Sequence, residues 1–156
     1  MKSAEAGDWG VNWAWGLPLI IFSVLIHVFG LQFINAAVVR ILGGQLPRRR
    51  FVPMFAAVMG LTALLATLLH GIEAAIWASA YRHLGALPDD KVAMLYSLSA
   101  MTSYGHANLF LETQWQLMGA LESLNGMLLF GLTTAFLFAM IQRVWPLKST
   151  SRNPKN

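Results

Sequence analysis

Three sets of residues in this chain carry chemistry. In His70-Gly-Ile-Glu73 an imidazole and a carboxylate stand three residues apart, which places both on one face of a helix. His-x-x-Glu is a spacing that metal sites use, but two donors fall short of a complete coordination shell. The pair therefore reads as a buried polar joint between helices. Glu122 is a lone carboxylate about two turns into an apolar run, and an acid at membrane depth is a functional candidate by default. The third set is Thr102-Ser103-Tyr104-Gly105-His106-Ala107-Asn108, a polar stretch between two strongly apolar ones. The chain has no cysteine, which removes disulfides, thiolate ligands and cysteine nucleophiles together. It has no Ser/His/Asp set and no phosphate-binding glycine loop, so enzymatic activity and bound cofactors are not expected.

The elements that must position these residues belong in a bilayer. Of 156 residues, 56% are hydrophobic and 12% charged, against roughly 25% charged in a soluble domain. The first apolar run covers 17–42, with Pro18 at its start and Gly43-Gly44 past its end, the usual asymmetry of helix termini. The second covers 51–83 and is broken by Gly85-Ala86-Leu87-Pro88. The third covers 116–143 and is closed by Arg143, Trp145 and Pro146. At ~1.5 Å per residue each is long enough to cross a hydrocarbon core of ~30 Å. Trp9, Trp13 and Trp15 lie in the segment 1–16, where they suit the outer interface. No cleavable signal peptide is apparent, and the tail 146–156 is expected to be disordered.

The basic residues are lopsided. Arg40 at the end of the first run is followed by Arg48, Arg49 and Arg50, and Arg143 at the end of the last is followed by Lys148, Arg152 and Lys155, with no acid among either group. Excess Lys/Arg marks cytoplasmic segments, so the N-terminus is expected outside and the C-terminus in the cytoplasm. Three spans require the same. Arg48, Arg49 and Arg50 would also meet anionic lipid headgroups, and no nucleic-acid partner is expected. One helical segment remains, 89–102, with Asp89 placed to cap its start. It is too short to span, which predicts a re-entrant or interfacial helix. Irregular backbone at membrane depth is tolerated only where protein buries it or where it lines a water-filled cavity. A short helix, an irregular polar loop and a full span together make the layout of a pore.

Over about 65–145 the chain resembles the bacterial two-transmembrane, one-pore-loop members of the potassium-channel superfamily. The residues that carry the likeness are HGIEAAIWA (70–78) in the helix before the pore, MLYSLSAMTSYG (94–105) running from pore helix into filter, and WQLMGALESLNGMLLFGLTTAFLFAMIQRVW (115–145) in the lining helix. Counting back from Trp115, residues 103–108 fall where that family has Thr-Val-Gly-Tyr-Gly-Asp. The resemblance implies an all-α membrane protein of the bacterial inner membrane. In it, an additional first transmembrane helix (17–42) precedes a pore domain (43–145) with outer helix 51–83, pore helix 89–102, filter 103–108 and lining helix 116–143. It also implies a homotetramer, because one pore loop cannot surround an ion.

In such filters backbone carbonyls replace the ion's hydration shell. The resemblance implies that Thr102, Ser103, Tyr104, Gly105, His106 and Ala107 bind the permeant monovalent cation, K+ or Na+, with no transition-metal site. Gly105 keeps one conformationally permissive position. Ala107 replaces the other, where a Cβ in a left-handed conformation costs ~1 kcal/mol or more. Asn108 removes the outer carboxylate. His106 introduces a group that titrates near pH ~6.5, facing the ion path or packed neutral behind the filter. Glu122, Glu73 and His70 are expected to support the filter or join helices, and Gly126 and Gly131 to allow bending or close packing of the lining helix. His27, with Ser23, Gln32 and Asn35, makes the first span unusually polar, as residues that join helices do. The expected function is passive conduction of K+, or weakly selective monovalent conduction. The alternative is a non-conducting assembly partner or sensor that retains the scaffold.

Overall fold

The computed structural model describes residues 2–42, 51–102, 104–105 and 109–144, without the side chains of 2–8, 42, 51 and 143–144. The helices are α1 (Lys2–Leu42), α2 (Phe51–His83), α3 (Asp90–Met101) and α4 (Gln116–Val144), and a 3-10 turn (Thr113–Trp115) leads into α4. No strand occurs among the described residues. Three stretches are long and apolar enough to cross a membrane: Trp9–Ile41, Val52–His83 and Thr113–Gln142.

The polarity of the bundle is the inverse of a soluble protein's. Its outward face carries Phe29, Phe33, Leu64, Leu68, Ile72, Leu124, Met127 and Phe138, all exposed. Its interior holds Ser23, His27, Thr62, Glu73, Ser97, Glu122 and Asn125, each 0–1% exposed. Water would penalise the first set, and an apolar interior would penalise the second unless its members met one another. A hydrocarbon surround makes both placements favourable, because polar side chains then join helices instead of reaching solvent.

Helix α1 begins at Lys2, not near residue 17, and Pro18 lies inside it. Proline removes one backbone hydrogen bond and crowds the preceding turn, so packing must hold the segment before it. That packing is visible at the start of α4. Asn12 Nδ2 donates to the Gln114 carbonyl at 2.6 Å, and Asn12 Oδ1 accepts from the Met118 N–H at 2.9 Å. Met118 lies in the first turn of α4, whose N–H groups have no partner within their own helix. The asparagine of α1 therefore caps α4 from outside. One turn on, Gly16 brings the α1 backbone against Leu121; a Cβ there would stand 2.6 Å from Leu121 Cδ1. Farther along, Leu31, Ile34 and Val38 of α1 pack with Val58 and Leu69 of α2 and Met140 of α4.

Between α2 and α4 the chain turns sharply. Gly85 takes a positive φ of 66°, a conformation glycine adopts without strain. Arg82 donates to Asp90 Oδ1 at 2.7 Å and to the Leu87 carbonyl at 2.8 Å, tying the end of α2 to the start of α3. Asp89 caps α3 by accepting from the Val92 N–H at 2.9 Å. At 12 residues, α3 is about 18 Å long. It lies against α2 and α4 and buries Ala93, Ser97, Ser99, Ala100 and Met101. Two glycines of α4, seven residues and so two turns apart, admit it. Gly119 receives the Tyr96 hydroxyl, and Gly126 receives the backbone of Met101, whose Cα would lie 2.6 Å from an added Cβ.

Candidate functional site

Two buried polar clusters lie in the bundle, one beside α3 and one between α1, α2 and α4. Thr102 follows α3 and is exposed, its hydroxyl donating to the Leu98 carbonyl at 2.6 Å. The Tyr104 N–H donates to the Ser99 carbonyl at 3.0 Å, while its side chain is 87% exposed. Gly105 has φ of 79°, in the left-handed region that a side chain makes costly. Ser103, His106, Ala107 and Asn108 lie outside the described residues, as do Arg48, Arg49 and Arg50.

Beside Ser97 of α3 stands Glu122. Its carboxylate is wholly buried, and Oε2 accepts from the Tyr81 hydroxyl at 2.8 Å. Tyr81 is packed edge-on against Tyr96 of α3 at 5.4 Å between ring centres. Glu122 Oε1 and both amide atoms of Asn125 have no hydrogen-bond partner among the described residues, with Ser97 beside the carboxylate but outside hydrogen-bond geometry. Buried polar atoms left unpaired are costly. Among the described residues this wall beside α3 therefore holds unused acceptor and donor capacity.

His70 and Glu73 belong to the other cluster. Glu73 Oε1 is 2.8 Å from His27 Nδ1, and Glu73 Oε2 is 3.3 Å from His70 Nδ1. The second nitrogens of both imidazoles converge on one hydroxyl. Thr133 Oγ1 is 3.0 Å from His27 Nε2 and 3.1 Å from His70 Nε2. The four side chains close a ring that crosses three helices. Phe130 stacks on His70 at 4.6 Å between ring centres, inclined by 15°. His27 and Glu73 are fully buried, and the donor atoms of His27, His70 and Glu73 all lie within 4.8 Å of one another.

Of the residues singled out in the sequence, the fold thus separates Glu122 from the His70–Glu73 pair. Gly126 abuts the backbone of Met101, whereas Gly131 has open space around it. Sequence reasoning missed Asn125 and Tyr81. Asn125 follows Glu122 by three residues, so a shared buried face was the available signal. Tyr81 sits near the end of an apolar run, where an aromatic residue ordinarily reads as an interface anchor.

Comparison of the chain with protein-family models, with curated proteins and with solved structures gives no match.

Proposed function

We propose that this chain is one subunit of a tetrameric cation channel, with α3 as a re-entrant pore helix and the segment after it as the filter. The observation that carries this reading is the polar wall beside α3. A helix too short to span packs between two apolar helices, with the buried Glu122 carboxylate beside its Ser97 and with Glu122 Oε1 and the Asn125 amide lacking hydrogen-bond partners among the described residues. Carbonyl filters need such a wall, because their oxygens must be held in place by the protein around the ion path. The left-handed Gly105 supports the same reading, since filter backbone turns its carbonyls toward an axis through permissive residues. In the proposed orientation the N-terminus is outside, the C-terminus is cytoplasmic, and the exposed faces of the helices meet lipid or other copies. Potassium is the ion implied by the resemblance to potassium channels carried by 70–78, 94–105 and 115–145. Ala107, His106 and Asn108 leave room for weaker selection among monovalent cations.

Cation flux into liposomes containing the purified protein tests this directly. Potassium flux is expected, equal to or above sodium flux, with a large organic cation excluded. Glu122→Gln, which replaces the acceptor of the Tyr81 hydrogen bond, worth about 1 kcal/mol, is expected to reduce conducting filters roughly fivefold. Absence of flux under every cation, with tetramers confirmed, would overturn the proposal in favour of a non-conducting assembly partner or sensor.

Conduction also has an expected pH dependence. Protonating His106 adds positive charge beside a cation path, so current falls as external pH drops through about 6.5. Repulsion among four copies spreads the transition over more than a single titration step. Single-channel current recorded from about pH 8 to about pH 5 measures it, and His106→Gln should abolish the response. A flat current in the unaltered protein would place the imidazole away from the ions.

A further inference from the structure

We propose that His27, His70 and Glu73 form a zinc site that fastens α1 to the rest of the bundle. The site is independent of conduction: it is built from contacts among α1, α2 and α4, and it is tested without any flux measurement.

The sequence alone offers two donors, His70 and Glu73. Folding supplies the third from α1, and the resulting set of two imidazoles and one carboxylate is a donor set typical of zinc. Distances fit such an ion. Bonds of about 2.0–2.1 Å at a tetrahedral angle place neighbouring ligand atoms about 3.3–3.4 Å apart. His70 Nδ1 and Glu73 Oε2 are 3.3 Å apart. That contact lacks hydrogen-bond geometry, and both atoms are buried without another hydrogen-bond partner among the described residues. An ion bound by both at once would satisfy an unpaired nitrogen and an unpaired oxygen together. His27 Nδ1 lies 2.8 Å from Glu73 Oε1, the other oxygen of the same carboxylate, and the donor atoms of all three residues lie within 4.8 Å of one another, so the imidazole has to shift to join the other two on one ion.

Thr133 completes the argument. A zinc-bound imidazole generally donates its other ring N–H to an acceptor that fixes the tautomer. With zinc on the Nδ1 atoms, both Nε2 atoms carry hydrogen. Both point at Thr133 Oγ1, at 3.0 and 3.1 Å, and a hydroxyl oxygen has two lone pairs to accept them. Each ring N–H of the two ligands then has an acceptor. Stacking of Phe130 on His70 fixes the plane of one ligand and places an aromatic face against an imidazole made more positive by the ion. Three protein ligands leave a fourth position for water or an exogenous group.

A competing occupant is a single proton. One imidazolium donating to Glu73 and Thr133, with Thr133 donating to the other imidazole, also closes the ring. The experiment separates the two. Full-length protein is purified in detergent by a tag without histidine, stripped with a chelator, and titrated with zinc. Bound metal is counted by mass spectrometry, and cobalt is used as a spectroscopic substitute. Expected results are one equivalent of zinc per chain, tetrahedral cobalt absorption, and a rise in unfolding temperature on adding zinc. His27→Gln and His70→Gln should each lose the bound equivalent. Thr133→Val keeps every ligand and nearly the same shape, and it should weaken zinc binding 10–100-fold. Failure of the unaltered protein to retain zinc or to give the cobalt spectrum would overturn the site. So would retention unchanged in the His27 and His70 variants. Nitrogen resonances showing one imidazolium per metal-free chain, unaffected by zinc, would assign the ring to a proton instead.

Discussion

Gly126→Ala is expected to destabilise the protein by about 2 kcal/mol or more, although alanine is ordinarily the better helix former by ~1 kcal/mol. The reason is what the new methyl group would meet. Its nearest neighbours are the carbonyl oxygen, Cα and carbonyl carbon of Met101, with the last two at 2.6 and 2.8 Å. These are backbone atoms, so no side-chain rotation relieves the overlap and α3 must move off α4. Gly131, one and a half turns further along the same helix, has nothing within 4 Å of an added Cβ. Gly131→Ala should therefore be neutral or stabilising by up to ~1 kcal/mol. Thermal unfolding of the two variants in detergent, side by side, measures the contrast. Equal effects would mean that α3 and α4 do not meet at Gly126. If α3 is a pore helix, Gly126→Ala should also reduce conduction in protein that still assembles, since the filter begins where Met101 ends.

His27→Leu is expected to cost about 3–5 kcal/mol, because it leaves a buried carboxylate without the partner at 2.8 Å. Only His70, at 3.3 Å and outside hydrogen-bond geometry, would remain beside Glu73. The double variant His27→Leu, Glu73→Met removes both members and replaces them with apolar groups of similar volume. It should recover most of the loss, as replacing both members of a buried polar pair does. A double-mutant cycle on unfolding free energies reads the coupling, and an additive outcome would show that the two residues act independently. The cycle also tests the place of α1. A first helix that packed elsewhere would leave Glu73 indifferent to residue 27.

Much of the architecture is legible in the residues. Apolar runs of 26 to 33 residues can be little else than long helices, and a charge-poor chain with arginines gathered at two places organises itself around a membrane. Asp89 as a cap and Gly85 as a break follow from local backbone chemistry, which depends on near neighbours alone. Local rules misjudged the start of α1. Pro18 ordinarily marks a helix beginning, but Asn12 and Gly16 hold the preceding turns against Gln114, Met118 and Leu121. Those partners lie about a hundred residues away, so no window around Pro18 contains them.

The polar residues show the same division. Sequence alone determined which side chains are out of place in the long apolar runs: His27, His70, Glu73 and Glu122. An ionisable group in an apolar run is conspicuous wherever it sits, because the free energy of leaving water depends only on the group and its surroundings. Tertiary structure decided who meets whom. It set Glu122 with Tyr81 and Asn125 beside α3, and closed His27, His70 and Glu73 around Thr133 across three helices. Such pairings depend on helix crossings and on the rotation of each helix about its axis. A polar spacing of three residues fixes neither, since the same face can be turned toward any partner that packing allows.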